Sequence, residues 1–195
     1  MPFTLTGPCE FREEIRKSRF ITLAAPIDTA ADAQAFIEQH SDLDATHNCW
    51  AWKLGTQYRS NDDGEPGGTA GRPILAAIDA QDFDRVVVLV IRWYGGTQLG
   101  TGGIARAYGG GANKCLQQAD RMPLVNRVPL QFDCSFSELV LIVLRVAELN
   151  GLVEDERFNA NGVTLSIALG PDKVETLQRQ LSDISRGRIV LQQAQ

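Results

Sequence analysis

Arg92-Trp93-Tyr94-Gly95-Gly96-Thr97-Gln98-Leu99-Gly100-Thr101-Gly102-Gly103-Ile104-Ala105-Arg106-Ala107-Tyr108-Gly109-Gly110-Gly111 carries eight of the chain's 18 glycines. The run before it, Val86-Val87-Val88-Leu89-Val90-Ile91, is β-branched without alternation, which predicts a strand buried on both faces. After the glycines, Ile104, Ala105, Ala107 and Leu116 mix with Arg106 and Lys114 in a pattern that can form a helix. The unit reads as strand, glycine loop, helix. Glycines ahead of a helix start leave free N–H groups at the positive end of the helix dipole, where an anion such as phosphate is favoured. They equally permit tight packing of helix on sheet, and the residues alone leave both readings open.

Two phosphate motifs can be tested here. Gly95 to Gly100 has the spacing of a Walker loop, but Thr101 stands where the lysine belongs, which excludes that motif. Gly100 to Ala105 matches G-x-G-x-x-A, but it begins well after the strand and is a weak dinucleotide signal.

Working outward, Cys9–Arg16 and Arg19–Pro26 read as strands, and Thr29 with Asp32 as the capping box of a helix. His47-Asn48-Cys49-Trp50-Ala51-Trp52 reads as a strand with Tyr58-Arg59-Ser60 as its hairpin partner. Then comes a second glycine loop, Asp62-Asp63-Gly64-Glu65-Pro66-Gly67-Gly68, leading into a helix over 69–79. Its carboxylates suit acid-base work or a metal, or serve as turn formers that accept backbone N–H bonds. Beyond Pro123 the pattern changes to strand (124–134), helix (135–149), two strands joined at Asn161-Gly162, helix (171–186) and strand (189–191). That order, βαββαβ, is the ferredoxin-like split unit. The expected division is residues 1–123 and 124–195.

The chain has 195 residues and a net charge of −5, which counts against broad electrostatic binding to nucleic acid, and neither part is a basic nucleic-acid arm. Scattered Cys9, Cys49, Cys115 and Cys134, with only His40 and His47, fit neither a zinc site nor a disulfide framework. Cys49 near His47 reads either as a thiol nucleophile or as a buried structural cysteine. No stretch is apolar for long enough to span a membrane, and the start lacks the pattern of a signal peptide, so a cytoplasmic location is expected.

Ser18-Arg19-Phe20-Ile21, His47–Trp52, Asp62–Pro66 through Thr69-Ala70-Gly71-Arg72-Pro73, and Arg92–Gly96 through Leu99–Gly103 with Arg106-Ala107-Tyr108 together resemble the Impact/YigZ family, in the family's order. Asn61 stands where serine is expected, and Trp93 replaces a usual tyrosine. The resemblance implies an α+β protein of two domains. The first would have the α/β fold of the second domain of a small-subunit ribosomal protein, of elongation factor G domain IV and of the GHMP kinases. The second would be ferredoxin-like, similar to elongation factor G domain V. It also implies an RNA or ribosome partner and a role in translation regulation, without catalytic residues, cofactor or metal. On that reading Arg72, Arg92 and Arg106, with Gly95, Gly96, Gly102 and Gly103, would meet phosphates, and Tyr94 and Tyr108 would stack on bases. Two alternatives remain: an enzyme or binding protein for a small phosphorylated substrate using Asp62, Asp63 and Glu65, and a protein–protein module with a partner in translation control.

Overall fold

The computed structural model describes residues 2–194. The chain divides into two compact units, Met1–Leu124 and Val125–Gln195.

The first unit is built on a five-stranded antiparallel sheet of order β2-β3-β6-β4-β5. Its strands are β2 (Cys9–Ile15), β3 (Ser18–Pro26), β4 (His47–Leu54), β5 (Gln57–Asn61) and β6 (Val86–Trp93). β6 lies at the centre, and Val86 to Ile91 are all buried, as an unbroken β-branched run demands. A small pair, β1 (Phe3–Leu5) with β7 (Arg121–Pro123), ties the two ends of the unit together.

Helices cover both faces of the sheet. On one side lie α2 (Gly71–Ala80) and α3 (Gly100–Gln118), whose Ile74, Ile78, Ile104, Tyr108 and Leu116 pack with Phe20, Val86, Val88 and Val90. On the other, α1 (Ala30–His40) sets Ala33 and Ile37 against Trp52 and Val87. The Thr29–Asp32 capping box of α1 is formed.

The helix after β6 starts earlier than the glycines suggested: Gly102, Gly103 and Gly109 to Gly111 are inside α3. Its glycines serve contact. A Cβ on Gly111 would sit 3.0 Å from Thr22 Oγ1, and one on Gly109 would sit 3.3 Å from Pro73 Cβ, so α3 lies close to both β3 and α2. The true loop is short, Tyr94 to Leu99. In it a Cβ on Gly95 would fall 1.9 Å from the Lys17 carbonyl oxygen, so only glycine fits against the β2–β3 turn.

The second unit has a four-stranded antiparallel sheet of order β11-β8-β10-β9, with strands β8 (Val128–Cys134), β9 (Leu152–Asn159), β10 (Gly162–Leu169) and β11 (Gln192–Gln193). With α4 (Phe136–Glu148) and α5 (Val174–Ser185) on one face, this is the ferredoxin-like arrangement. Ile142 and Val146 of α4 and Leu177 and Leu181 of α5 meet Leu130, Phe132, Leu165 and Ile167. Glu138 caps α4 by accepting the Ser135 N–H at 2.8 Å. Arg188 also donates to Glu138, and chiefly for that reason its carboxyl is held at about 2, well below its ordinary 4.5.

Two boundaries differ from the sequence reading. The last strand is Gln192–Gln193 rather than 189–191, because Ile189 turns into the core at 2% exposure. The β9–β10 turn is Ala160-Asn161, one residue earlier than Asn161-Gly162, because Gly162 must lie flat against the Cys134 carbonyl, 2.2 Å from a notional Cβ.

Candidate functional site

The loop after β5 is shaped by its carboxylates. Asp62 accepts the N–H groups of Gly68 (2.8 Å), Ala70 (3.1 Å) and Gly71 (2.8 Å), anchoring the start of α2. Partial burial opposes its charge, but those three bonds and nearby Arg72 outweigh it and hold Asp62 below the usual carboxylate range. Asp63 Oδ2 accepts the Asn48 N–H at 2.6 Å. Asp63 and Gly64 both take left-handed backbone angles, φ 39° and 83°, which turn the chain so that Glu65 points inward.

Glu65 is the centre of the site, with its side chain 3% exposed. Its Oε1 receives Arg92 Nη1 at 2.6 Å from β6 and the Tyr108 hydroxyl at 2.7 Å from α3. His47 Nε2 of β4 stands 3.6 Å from the same oxygen. The His47 ring is fixed from behind, its Nδ1 lying 2.7 Å from the Asp63 carbonyl, which can only accept, so that Nδ1 carries a proton. Burial pushes the Tyr108 hydroxyl far up, and it remains a donor. Arg92 lies 5.6 Å from each of the Phe20 and Tyr94 ring centroids, and its buried Nε has no hydrogen-bond partner among the described residues.

Beside this cluster is a cavity of about 490 Å³, whose wall includes His47, Glu65, Arg92, Tyr94, Gly100 and Thr101. The two glycine loops therefore converge, Pro66 coming from the first and Gln98 to Thr101 from the second. Leu99, the residue at the α3 N-cap, offers no side-chain bond to the first turn of the helix. A second recess of about 200 Å³ shares Leu99 and is lined by Arg16, Gly103 and Arg106.

The predicted site residues separate sharply. Arg92 is 4% exposed and neutralised by Glu65, so it is no free phosphate anchor. Tyr108 is wholly buried, with its ring edge-on to Phe20 at 5.5 Å, and has no face for a base. Tyr94 is 48% exposed and keeps one. Arg72 and Arg106 are exposed, and Arg106 lines the smaller recess, whereas Arg72 lines neither. Gly96 and Gly102 are exposed, and Gly95 is committed to its contact with Lys17.

Of the loop carboxylates only Glu65 reaches the cavity; Asp62 and Asp63 are held by backbone N–H groups, and Gly64 and Pro66 shape the turn. Among the described residues no group of three or more His, Cys, Asp and Glu side chains is placed to hold a metal ion. Cys49 is a buried thiol bonded to the Asp62 carbonyl at 3.0 Å, and desolvation pushes it up to about 12, so it is not a nucleophile at neutral pH.

The sequence reading missed Arg16 and Lys17. They form the two-residue β2–β3 turn with φ 45° and 69°, a conformation that usually takes asparagine and glycine. The signal was a pair of charges, Arg16-Lys17, between two runs that read as strands. Arg19 follows on β3, with its guanidinium 4.2 Å above the Trp93 ring.

Fold and site together define a two-unit α+β protein in which one unit carries a loop-lined cavity beside a basic turn. Residues 16–116 match the family model described as the Impact N-terminal domain, and residues 132–188 match a domain of unknown function, DUF1949. The chain belongs to the IMPACT family. It is 42% identical to an IMPACT family member of Thermus thermophilus encoded in a pol 5′ region, over 90% of this chain and 97% of that one. To the IMPACT family member YigZ of Escherichia coli it is 37% identical over 95% and 94%. A crystal structure titled only as a hypothetical protein, 36% identical, superposes with a TM-score of 0.68 over 99% of this chain and 97% of its own. No helix among the described residues is long and apolar enough to cross a membrane.

Proposed function

We propose that this protein is a non-enzymatic RNA-binding protein of the translation apparatus, and that the N-terminal unit grips RNA by its phosphates at the β2–β3 turn and the start of α3. One observation carries the reading: Arg16, Lys17, Arg19 and Arg106 are exposed there, and none makes an ion pair among the described residues. On a chain of net charge −5, a cluster of unopposed cations is a local exception that favours a polyanion. Tyr94 supplies an adjacent ring on which a base can stack. Arg16 and Lys17 hold strained left-handed angles, of the kind retained where a side chain must be displayed.

The test is filter binding to ribosomal RNA across a salt series, with the wild type and an Arg16→Gln/Arg106→Gln double variant. Loss of two phosphate contacts is expected to lower the slope of log affinity against log salt by about 1.4–1.8. An unchanged slope, or no binding at low salt, overturns the reading.

A second reading has one feature in its favour. The start of α3 has no side-chain cap where Gly100 and Thr101 wall the larger cavity, an arrangement suited to a small phosphorylated ligand. Calorimetry with orthophosphate and nucleoside monophosphates tests it, and heats indistinguishable from dilution dismiss it.

A further inference from the structure

Helix α4 has a polar stripe of Ser137, Glu138, Arg145 and Glu148, and the rest of its circumference is apolar. Leu139, Ile142, Val146 and Leu149 form the face turned to the core, yet Phe136, Val140 and Leu144, spaced four apart, are 52%, 80% and 51% exposed on the other side. Leu141 adds to them at 40%. This outer side runs along the free edge of the sheet: Phe136 stacks on Phe158 of the edge strand β9, ring centroids 6.5 Å apart and planes within 10°. Phe158 is itself 62% exposed.

β9 carries an acidic row, Glu154-Asp155-Glu156, all exposed. Asp155 is answered by Arg157 at 2.7 Å, whereas Glu154 and Glu156 have no ion pair among the described residues. Glu156 and Phe158 stand opposite Leu165 and Val163, so they point to the helix side of the sheet. Glu154 is the extra residue of a register shift opposite Ser166 and Ile167. A charged, irregular edge can serve simply to prevent aggregation. That purpose accounts for the acids but not for a helix that keeps its apolar side uncovered next to them.

We propose that the β9 edge and the outer side of α4 form a docking groove for an extended segment of a partner protein, with apolar and basic residues in turn along the face it presents to the helix side, which joins the sheet as a fifth strand. The free backbone groups of β9 supply hydrogen bonds. Side chains on one face of the added strand cover Phe158, Phe136, Val140 and Leu144, and lysines or arginines of the segment meet Glu154 and Glu156. A second copy of this chain is a poor occupant, because pairing two β9 edges brings two acidic rows together. The inference concerns the C-terminal unit and stands apart from RNA binding by the N-terminal one.

The test uses the full chain and three labelled twelve-residue peptides with the repeats Val-Val-Lys-Lys (Lys/Val), Ser-Ser-Lys-Lys (Lys/Ser) and Val-Val-Glu-Glu (Glu/Val), followed by fluorescence anisotropy and by amide hydrogen exchange. The Lys/Val peptide is expected to bind at least about tenfold more tightly than either other, and to slow exchange along β9. Val140→Asp, at an exposed position that leaves the fold intact, is expected to weaken it about tenfold, and Glu154→Lys/Glu156→Lys by a similar factor. Equal affinity for Lys/Val and Lys/Ser, absence of binding, or protection that misses β9 overturns the proposal. So does a dimer in sedimentation velocity that Val140→Asp dissolves, since the groove would then be covered by a second copy.

Discussion

In the N-terminal unit an acid and a base, Glu65 and Arg92, are sealed inside with side chains 3% and 5% exposed; in the C-terminal unit three apolar residues of one helix stand half or more in solvent. Each inverts the usual preference of its residue types. The inward charges join β4, β6, α3 and the Asp62–Pro66 loop at one carboxylate oxygen, and removing either partner strands the other. Of the outward apolar residues, Phe136 stacks on Phe158, and Val140 and Leu144 keep half or more of their surface in solvent. Charge alone does not tell which residues meet a ligand, and apolarity alone does not tell which build the core.

That contrast can be broken most directly at Glu65. Glu65→Gln leaves Arg92 buried without its counter-charge and is expected to cost about 3–5 kcal/mol in urea unfolding. All three tryptophans, Trp50, Trp52 and Trp93, lie in the first unit, so fluorescence reads that unit alone. A cost under about 1 kcal/mol would mean that the pair is incidental to the fold. The compensating Glu65→Met/Arg92→Met variant is expected to recover most of the loss, because no buried charge is then left over.

Gly95→Ala comes next, at about 1–3 kcal/mol, since the new methyl group collides with the Lys17 carbonyl and must push the β2–β3 turn away. Wild-type stability in that variant would show that the turn yields freely. Smaller again is an acid effect in the second unit. Glu138 is held at about 2, below its ordinary 4.5, so its contribution is complete above pH 4.5 and is lost as pH falls toward 2. Hydrogen exchange at the start of α4 should quicken across that window, and Glu138→Gln should abolish the dependence. Smallest is Val140→Asp, expected to change stability by no more than about 0.5 kcal/mol. A larger loss would place that side chain in a core rather than on a surface.

Much of this architecture was legible in the chain. The β-branched run of β6, the two capping boxes and the βαββαβ order each follow from local chemistry. Arg92 and Tyr108 were misread although their positions were available. Arg92 continues the alternation of Val86, Val88 and Val90, which face α2 and α3, so period two already turns it inward. Tyr108 follows Ile104 and precedes Ala112 at steps of four, on the buried side of α3. Residue type argued for the surface, and periodicity was the better guide. What no pattern within the chain could reveal was the answering charge, because Glu65 lies 27 residues from Arg92 and 43 from Tyr108. The apolar outer side of α4 was equally readable and went unread, since one good amphipathic face satisfied the expectation for the helix.

The separations around Glu65 also bear on time. Its partners arrive from three elements, and each bond closes a long loop, so the cluster can assemble only after β4, β6 and α3 have docked. It then belongs to the last stage of folding and the first of unfolding. Weakening it should leave the refolding rate nearly untouched and put almost the whole cost into faster unfolding. Glu65 thus acts as a latch on the lifetime of the native state, closed after the walls are up.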